Sequence, residues 1–454
     1  MSSYDFLAEY DAAPDEEKYP LVDKWMHEQP LAFFDQLRKE RPVLKTPVCT
    51  LIANFTDVRD MLQMPKVATV DLYKPKMRVT GPDDGYLMAH DDNALHYREK
   101  SIMQGILNRN DLPYVQEVVR EAAQKILKKS NGKIEFINDY CREVPAVLVE
   151  KYFGLDGIGR KNLIRWSYWN QYNVFHNQPF NIRSDADRAH ITKRHGEVGK
   201  ELVAYISSLT LRKITRFYVM GAINMVLGPI RRFFLRLIGR HVKERNQTMV
   251  ERLYYTKFSK GVDFPISRAA INAGGFLIGT IETTAQAVAQ VVDYMLNNPS
   301  VLRNAKNAAL SKDRTFFDLM VWETLRFVPI SPYVFRKMAD DYVVGKGKDY
   351  EVELEKGEIV LLLSQSAMFD HEAYEEPQAF NPRRTFYHNF TFGYGPHVCL
   401  GKYVGMEMIP EMVRQAIVLS DLKAEDPIDY RNKDFPDYEG PFPEKYNLVW
   451  QNKD

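Results

Sequence analysis

Cysteine is nearly missing from this sequence. Only Cys49, Cys141 and Cys399 occur in 454 residues. An odd, widely spaced set does not describe a disulfide framework and cannot fill a four-cysteine zinc site. A reducing cytoplasm is the natural setting. A dominant charge is lacking too. Lys and Arg number 61 against 60 Asp and Glu, a net +1, so there is no global signature of nucleic-acid binding. Linkers rich in Ser, Gly or Pro, internal repeats and low-complexity tracts are also absent. Length alone would allow about three domains; without a divider, one domain over 1–454 is expected. The N-terminal MSSYDFLAEYDAAPDEEKYP is polar and acidic, neither a signal peptide nor a membrane anchor. With 45% hydrophobic and 27% charged residues, the composition is that of a soluble globular protein.

What is present is mostly helical patterning. Pro30 opens an amphipathic run, LAFFDQLRKERP. TLIANFTDVRDML (Thr50–Leu62) reads as a strand and then a helix. Helical signals dominate from Leu112 to Ser208. A single long helix is expected over Ile266–Asn298, after Pro265 and before Pro299. Its middle is nearly uncharged, which predicts burial on all sides. After Ile330 the pattern turns to short strands and turns.

The region from Arg212 to Arg245 differs. It holds nine basic residues and one acid, Glu244, in a chain whose total is +1. Inside it, FYVMGAINMVLGPI (Phe217–Ile230) carries no charge. That run is too short to span a bilayer and suits a buried or interfacial segment. Arg232, Arg236 and Arg240 then recur on one helix face. Such a segment, over 217–240, can lie on an anionic membrane surface. The plain alternative is a helical hairpin packed on the protein's own core or on a second subunit.

Three constellations could carry chemistry. In the long helix, Gly275, Gly279 and Thr283 form a stripe of little bulk, against which a flat ligand could lie. Glu282 and Thr283 set an acid and a hydroxyl beside it, a pair able to relay protons into a dry site. The plain alternative is close helix packing, with Thr283 bonded to its own backbone. In the second, Glu323 and Arg326 stand at i and i+3 among apolar neighbours and can pair. The third is FTFGYGPHVCLG (Phe390–Gly401). Its glycines let the chain turn tightly and approach a cofactor. A helix is expected to follow, which puts Cys399 near a helix N-terminus, where a thiolate is favoured.

These motifs, in this order, closely resemble the cytochrome P450 superfamily of haem-thiolate monooxygenases. Phe392, Gly395, Cys399 and Gly401 meet the family's cysteine loop. The resemblance implies haem b with Cys399 as its iron ligand, and a mainly α fold with a small β-rich region. It implies haem-propionate contacts from His397 and Arg336, and from His96 and Lys100 in ALHYREK. Gly279 and Phe392 would border the haem. Glu323, Arg326 and Arg384 of FNPRR would form a structural cluster. Thr283 and Glu282 would deliver protons to bound oxygen. Thr280 departs from the family's usual glycine, Pro410 should kink the helix after Cys399, and 212–245 looks like an insertion.

The implied activity is hydroxylation of a small lipophilic molecule by O2. No reductase is recognisable in the sequence, so electrons would come from a separate partner: a ferredoxin, a flavodoxin or a flavoprotein reductase. The implied location is cytoplasmic, with peripheral membrane contact through 217–240 as a further option. Rival readings are a haem-thiolate peroxygenase or hydroperoxide isomerase, a non-catalytic haem sensor, and a membrane-surface protein without haem. Turnover with peroxide alone would separate the first.

Overall fold

Helix signals become helices wherever apolar residues recur with the helical period. Pro30–Glu40 buries Phe33, Phe34 and Leu37. The run at Thr50–Leu62 divides into a strand, Thr50–Ile52, and a helix, Phe55–Leu62. The computed structural model describes residues 4–237, 247–311 and 314–452. The long helix runs from Ile266 to Asn297, with Pro265 as its N-cap residue. At 1.5 Å per residue it is about 48 Å long. Most of it is buried, as its composition requires, but Gly279 is not.

A mainly helical body surrounds that helix. Helices Leu112–Ser130, Arg160–His176, Arg314–Phe327 and Lys402–Ile417 share its hydrophobic core. The β-rich part is small. Its largest sheet has the order Val43–Lys45, Thr50–Ile52, Ile359–Leu362, Val334–Met338, Ala68–Thr69. The second and third strands pair in parallel; the other neighbours are antiparallel. Two smaller clusters pack this sheet, one against the N-terminal helices through Phe6, Trp25 and Phe33, the other against Phe55–Leu62. Pro410 lies inside the helix Lys402–Ile417.

The described side chains of the charge-free run are not covered. A single helix extends from Asp185 to Leu237, roughly 80 Å at the standard rise. Its exposed apolar residues include Phe217, Tyr218, Val219, Met220, Ile223, Met225, Val226 and Leu227. The expected hairpin is therefore absent over these residues; helical hydrogen bonding continues where a turn was an option. Among the described side chains of this region, Arg212 and Lys213 both reach Asp156, at 2.6 and 2.7 Å. Arg240 and the side chains of Arg232 and Arg236 lie outside the described residues. No described helix is long and apolar enough to cross a membrane.

Candidate active site

The cysteine loop is built by its backbone. Gly393 and Gly395 take φ of +70° and +69°, which a side chain would strain. At Gly395 a Cβ would also collide with the Leu62 carbonyl. The turn brings the Cys399 N–H to the Phe392 carbonyl at 2.8 Å. The Phe392 ring lies against Gly405 and 5.4 Å from the Trp322 ring. The helix Lys402–Ile417 starts immediately beyond. Burial raises the Cys399 thiol pKa; the Gly401 N–H, Lys100 and Lys402 oppose it. Although protein surrounds it, Cys399 retains accessible surface. It therefore lines a recess rather than packed core.

The stripe of small residues has two uses. At Gly275 a Cβ would collide with the Tyr86 ring, whereas at Gly279 nothing stands within 4 Å. The Thr283 hydroxyl donates to the Gly279 carbonyl at 2.8 Å, and Thr280 donates to Phe276 at 2.6 Å. Both hydroxyls rest on their own helix.

Glu282 does not share the recess with Thr283, and the expected acid–alcohol pair needs correction. Successive helical residues diverge by about 100°. Glu282 is buried, and both its oxygens accept from Arg142 Nε, at 3.0 and 3.1 Å. Arg142 follows a π-helical turn, Ile137–Cys141, and also reaches Glu444 at 3.3 Å. Burial raises the Glu282 carboxyl to about 7, even against Arg142. The pair holds Arg142 above its ordinary value. The guanidinium thus stays charged, and Glu282 is the member able to take a proton near neutrality.

Cations border the loop. Arg336 is buried on its strand and donates to the adjacent Phe335 carbonyl at 2.8 Å. Among the described residues it has no carboxylate within salt-bridge distance. Burial lowers its pKa. Lys100 donates to the Pro396 carbonyl and, at 3.0 Å, to that of Val398. Burial lowers its pKa to about 8, against the pull of Cys399. His96 Nδ1 donates to the His90 carbonyl at 2.7 Å, leaving Nε2 3.4 Å from the Pro396 carbonyl. His397 Nε2 is taken by Asp91 at 2.9 Å. Burial lowers its pKa to about 4, against the pull of Asp91.

The Glu323 cluster stands beneath the loop. Arg326 contacts both Glu323 oxygens, at 2.8 and 3.0 Å, and donates to the carbonyls of Met368, Pro377 and Ala379. Arg384 Nε lies 3.4 Å from Glu323, which also accepts from the Asn381 N–H at 2.9 Å. This buried pair has the added partners that such a pair needs.

The cytochrome P450 family model matches residues 102–417. The chain belongs to the cytochrome P450 family. It is 21% identical to pulcherriminic acid synthase of Bacillus subtilis over 407 residues, 84% of this chain and 86% of that one. In fold it is similar to CYP109Q5 from Chondromyces apiculatus, with TM-score 0.71, 16% identity and coverage of 94% and 96%. It is likewise similar to P450BioI in complex with hexadec-9Z-enoic acid ligated acyl carrier protein, with TM-score 0.70, 18% identity and coverage of 94% and 100%. This P450 is a monooxygenase, and its family implies a cysteine-ligated haem.

The residues present fit that group. A recessed thiol with an N–H donor beside it suits an iron ligand. Arg336, a buried cation without a carboxylate partner, suits a propionate. Sequence reasoning missed Tyr86, Asp91 and Arg142. Each acts through a contact distant in the chain, so only a collision-prone glycine such as Gly275 could have hinted at one of them.

Proposed function

We propose that this P450 binds haem b through Cys399 and hydroxylates a small lipophilic molecule with O2. The observation that carries the reading is the recessed Cys399 thiol in a loop braced by Gly395, with Arg336 buried nearby and, among the described residues, in no salt bridge. When bound, haem supplies oxygen activation at iron, with thiolate ligation favouring O–O cleavage. The chain's own residues do the rest. The Gly401 N–H and Lys100 steady the thiolate. Arg336, Lys100 and His96 would hold the propionates. Gly279 leaves room for a flat ligand. The Thr283 hydroxyl, released from the Gly279 carbonyl, hands on a proton at Oγ1. Electrons come from a separate ferredoxin, flavodoxin or flavoprotein reductase.

The exposed apolar part of Asp185–Leu237 supports contact with an anionic membrane surface, from which a lipophilic substrate would enter. The central test is the carbon monoxide spectrum of the reduced, haem-loaded protein. It should show the thiolate-ligated band, and Cys399→Ala should abolish it. An unchanged spectrum in the variant would sink the ligand assignment.

A further inference from the structure

Tyr86 brings an unpaired hydroxyl to the long helix. It stands just ahead of a short turn, Leu87–Ala89, on the connection that leads into the helix Ala94–Ile106. Among the described residues its hydroxyl makes no hydrogen bond. Nor is it sealed in the core, as the unpaired hydroxyls of Tyr19 and Tyr172 are. The residue is half-buried. A phenol that protein surrounds but that keeps accessible surface faces open space, as Cys399 does.

The ring is held in place. Its Cε2, Cζ and hydroxyl oxygen lie where a Cβ on Gly275 would stand, so the phenol oxygen rests on the long helix at Gly275. Leu87, its neighbour, is in the core, and the Ala89 N–H donates to the Tyr86 carbonyl at 3.0 Å. Glu99, the nearby carboxylate, is engaged elsewhere. Its oxygens accept from Arg268 and, at 2.7 Å, from Asn272. Burial raises the Tyr86 phenol pKa, and Cys399 and Glu99 add to the rise. The hydroxyl therefore stays protonated and remains a donor.

Its place along the helix gives the hydroxyl a use. Gly275, Gly279 and Thr283 share one stripe. From Gly275 to the open space at Gly279 is one turn, about 6 Å. The next hydroxyl on the stripe, that of Thr283, already donates to the Gly279 carbonyl at 2.8 Å. Among the described residues of this stripe and its contacts, Tyr86 alone offers a free O–H to a molecule lying on the helix. A carbonyl is the complementary group, because it accepts and has no proton of its own to leave unpaired. A carboxylate fits less well beside the negative charges of Cys399 and Glu99.

We propose that Tyr86 is a specificity-determining residue whose hydroxyl donates to a carbonyl oxygen of the lipophilic substrate and so sets which carbon lies at Gly279. This rests on the lipophilic-substrate reading and narrows it to molecules with a carbonyl about 6 Å from the oxidised carbon. Gly275 is a positioning residue, since a side chain there would displace the phenol.

The test uses the haem-loaded protein and imidazole probes, whose nitrogen ligates the iron and shifts the haem band whatever the natural substrate. The probes are 1-octylimidazole and its ketones with the carbonyl at the third, fifth or seventh chain carbon. Each ketone's affinity is taken relative to 1-octylimidazole, which cancels what the two share. Tyr86→Phe keeps the ring against Gly275 and removes only the hydroxyl. For at least one ketone the relative affinity should fall about threefold to tenfold in this variant, the scale of one uncharged hydrogen bond. A purely structural role would weaken parent and ketones alike. Unchanged ratios for all three ketones therefore overturn the proposal and leave the lipophilic reading standing. Loss of the carbon monoxide band in Tyr86→Phe would give the hydroxyl a structural partner and overturn the proposal as well. If 1-octylimidazole and its ketones leave the wild-type band unshifted while the carbon monoxide spectrum is normal, the lipophilic reading fails and the Tyr86 proposal fails with it.

Discussion

Replacing Glu282 by Gln keeps the side chain's shape and removes its charge. In the folded protein burial raises this carboxyl from 4.5 to about 7. Between those values the folded chain holds a proton that the unfolded chain releases. Stability therefore falls as pH rises through the window from 4.5 to 7, and levels off above it. The whole fall is about 3 kcal/mol, at about 1.4 kcal/mol per pH unit of difference. Glu282→Gln should lack it, so its stability relative to wild type improves from pH 5 to about 7 and then holds level. Arg142 is not stranded in this variant. It keeps Asn138 at 2.8 Å, Pro443 at 3.2 Å and Glu444 at 3.3 Å. Arg142→Met does the opposite, leaving Glu282 without a hydrogen-bond donor among the described residues. It should cost about 3–5 kcal/mol above neutrality, as loss of a buried charge's partner does, and much less near pH 5, where Glu282 is protonated. The assay is the melting temperature of the haem-loaded protein, read from the haem band across pH 4.5 to 8.5. Variant-minus-wild-type differences cancel the other titrations. A constant Glu282→Gln difference across that range would refute the argument.

Glu323→Gln should destabilise the protein by about 3–5 kcal/mol, because it leaves the buried Arg326 and its neighbour Arg384 without their carboxylate. A lowered melting temperature and a reduced haem-to-protein ratio are expected; wild-type values for both would remove the cluster from any role beneath the loop. On vesicles rich in phosphatidylserine, serine at Tyr218, Met225, Val226 and Leu227 should weaken binding at least a hundredfold. Each large apolar side chain contributes about 1.5–3 kcal/mol when buried. Unchanged partitioning would exclude this helix as the membrane contact.

The cysteine loop and the Glu323 cluster were legible because local geometry writes them. Positive φ demands glycine at Gly393 and Gly395, and i, i+3 spacing puts Glu323 beside Arg326. The long helix was legible from its bounding prolines and apolar middle. Glu282 was misread because neighbours in sequence are not neighbours on a helix surface, and its partner Arg142 comes from a distant π-helical turn. His397 was likewise read without Asp91. The charge-free run after Arg216 was ambiguous for another reason: an apolar composition says what a segment can bury, not whether anything covers it.

The small-residue stripe shows where such ambiguity ends. Both Gly275 and Gly279 announce a close approach, and the sequence gives no means to rank them. In the folded chain, Tyr86 occupies the approach at Gly275, so that glycine serves the protein's own packing. Gly279 faces open space next to the Thr283 hydroxyl. A methyl group at Gly275 therefore meets protein, whereas one at Gly279 meets only what binds there. Room for a flat ligand is thus left at Gly279 and not along the stripe as a whole. Thr280 does not narrow it further: its hydroxyl donates to the Phe276 carbonyl just as that of Thr283 donates to the Gly279 carbonyl.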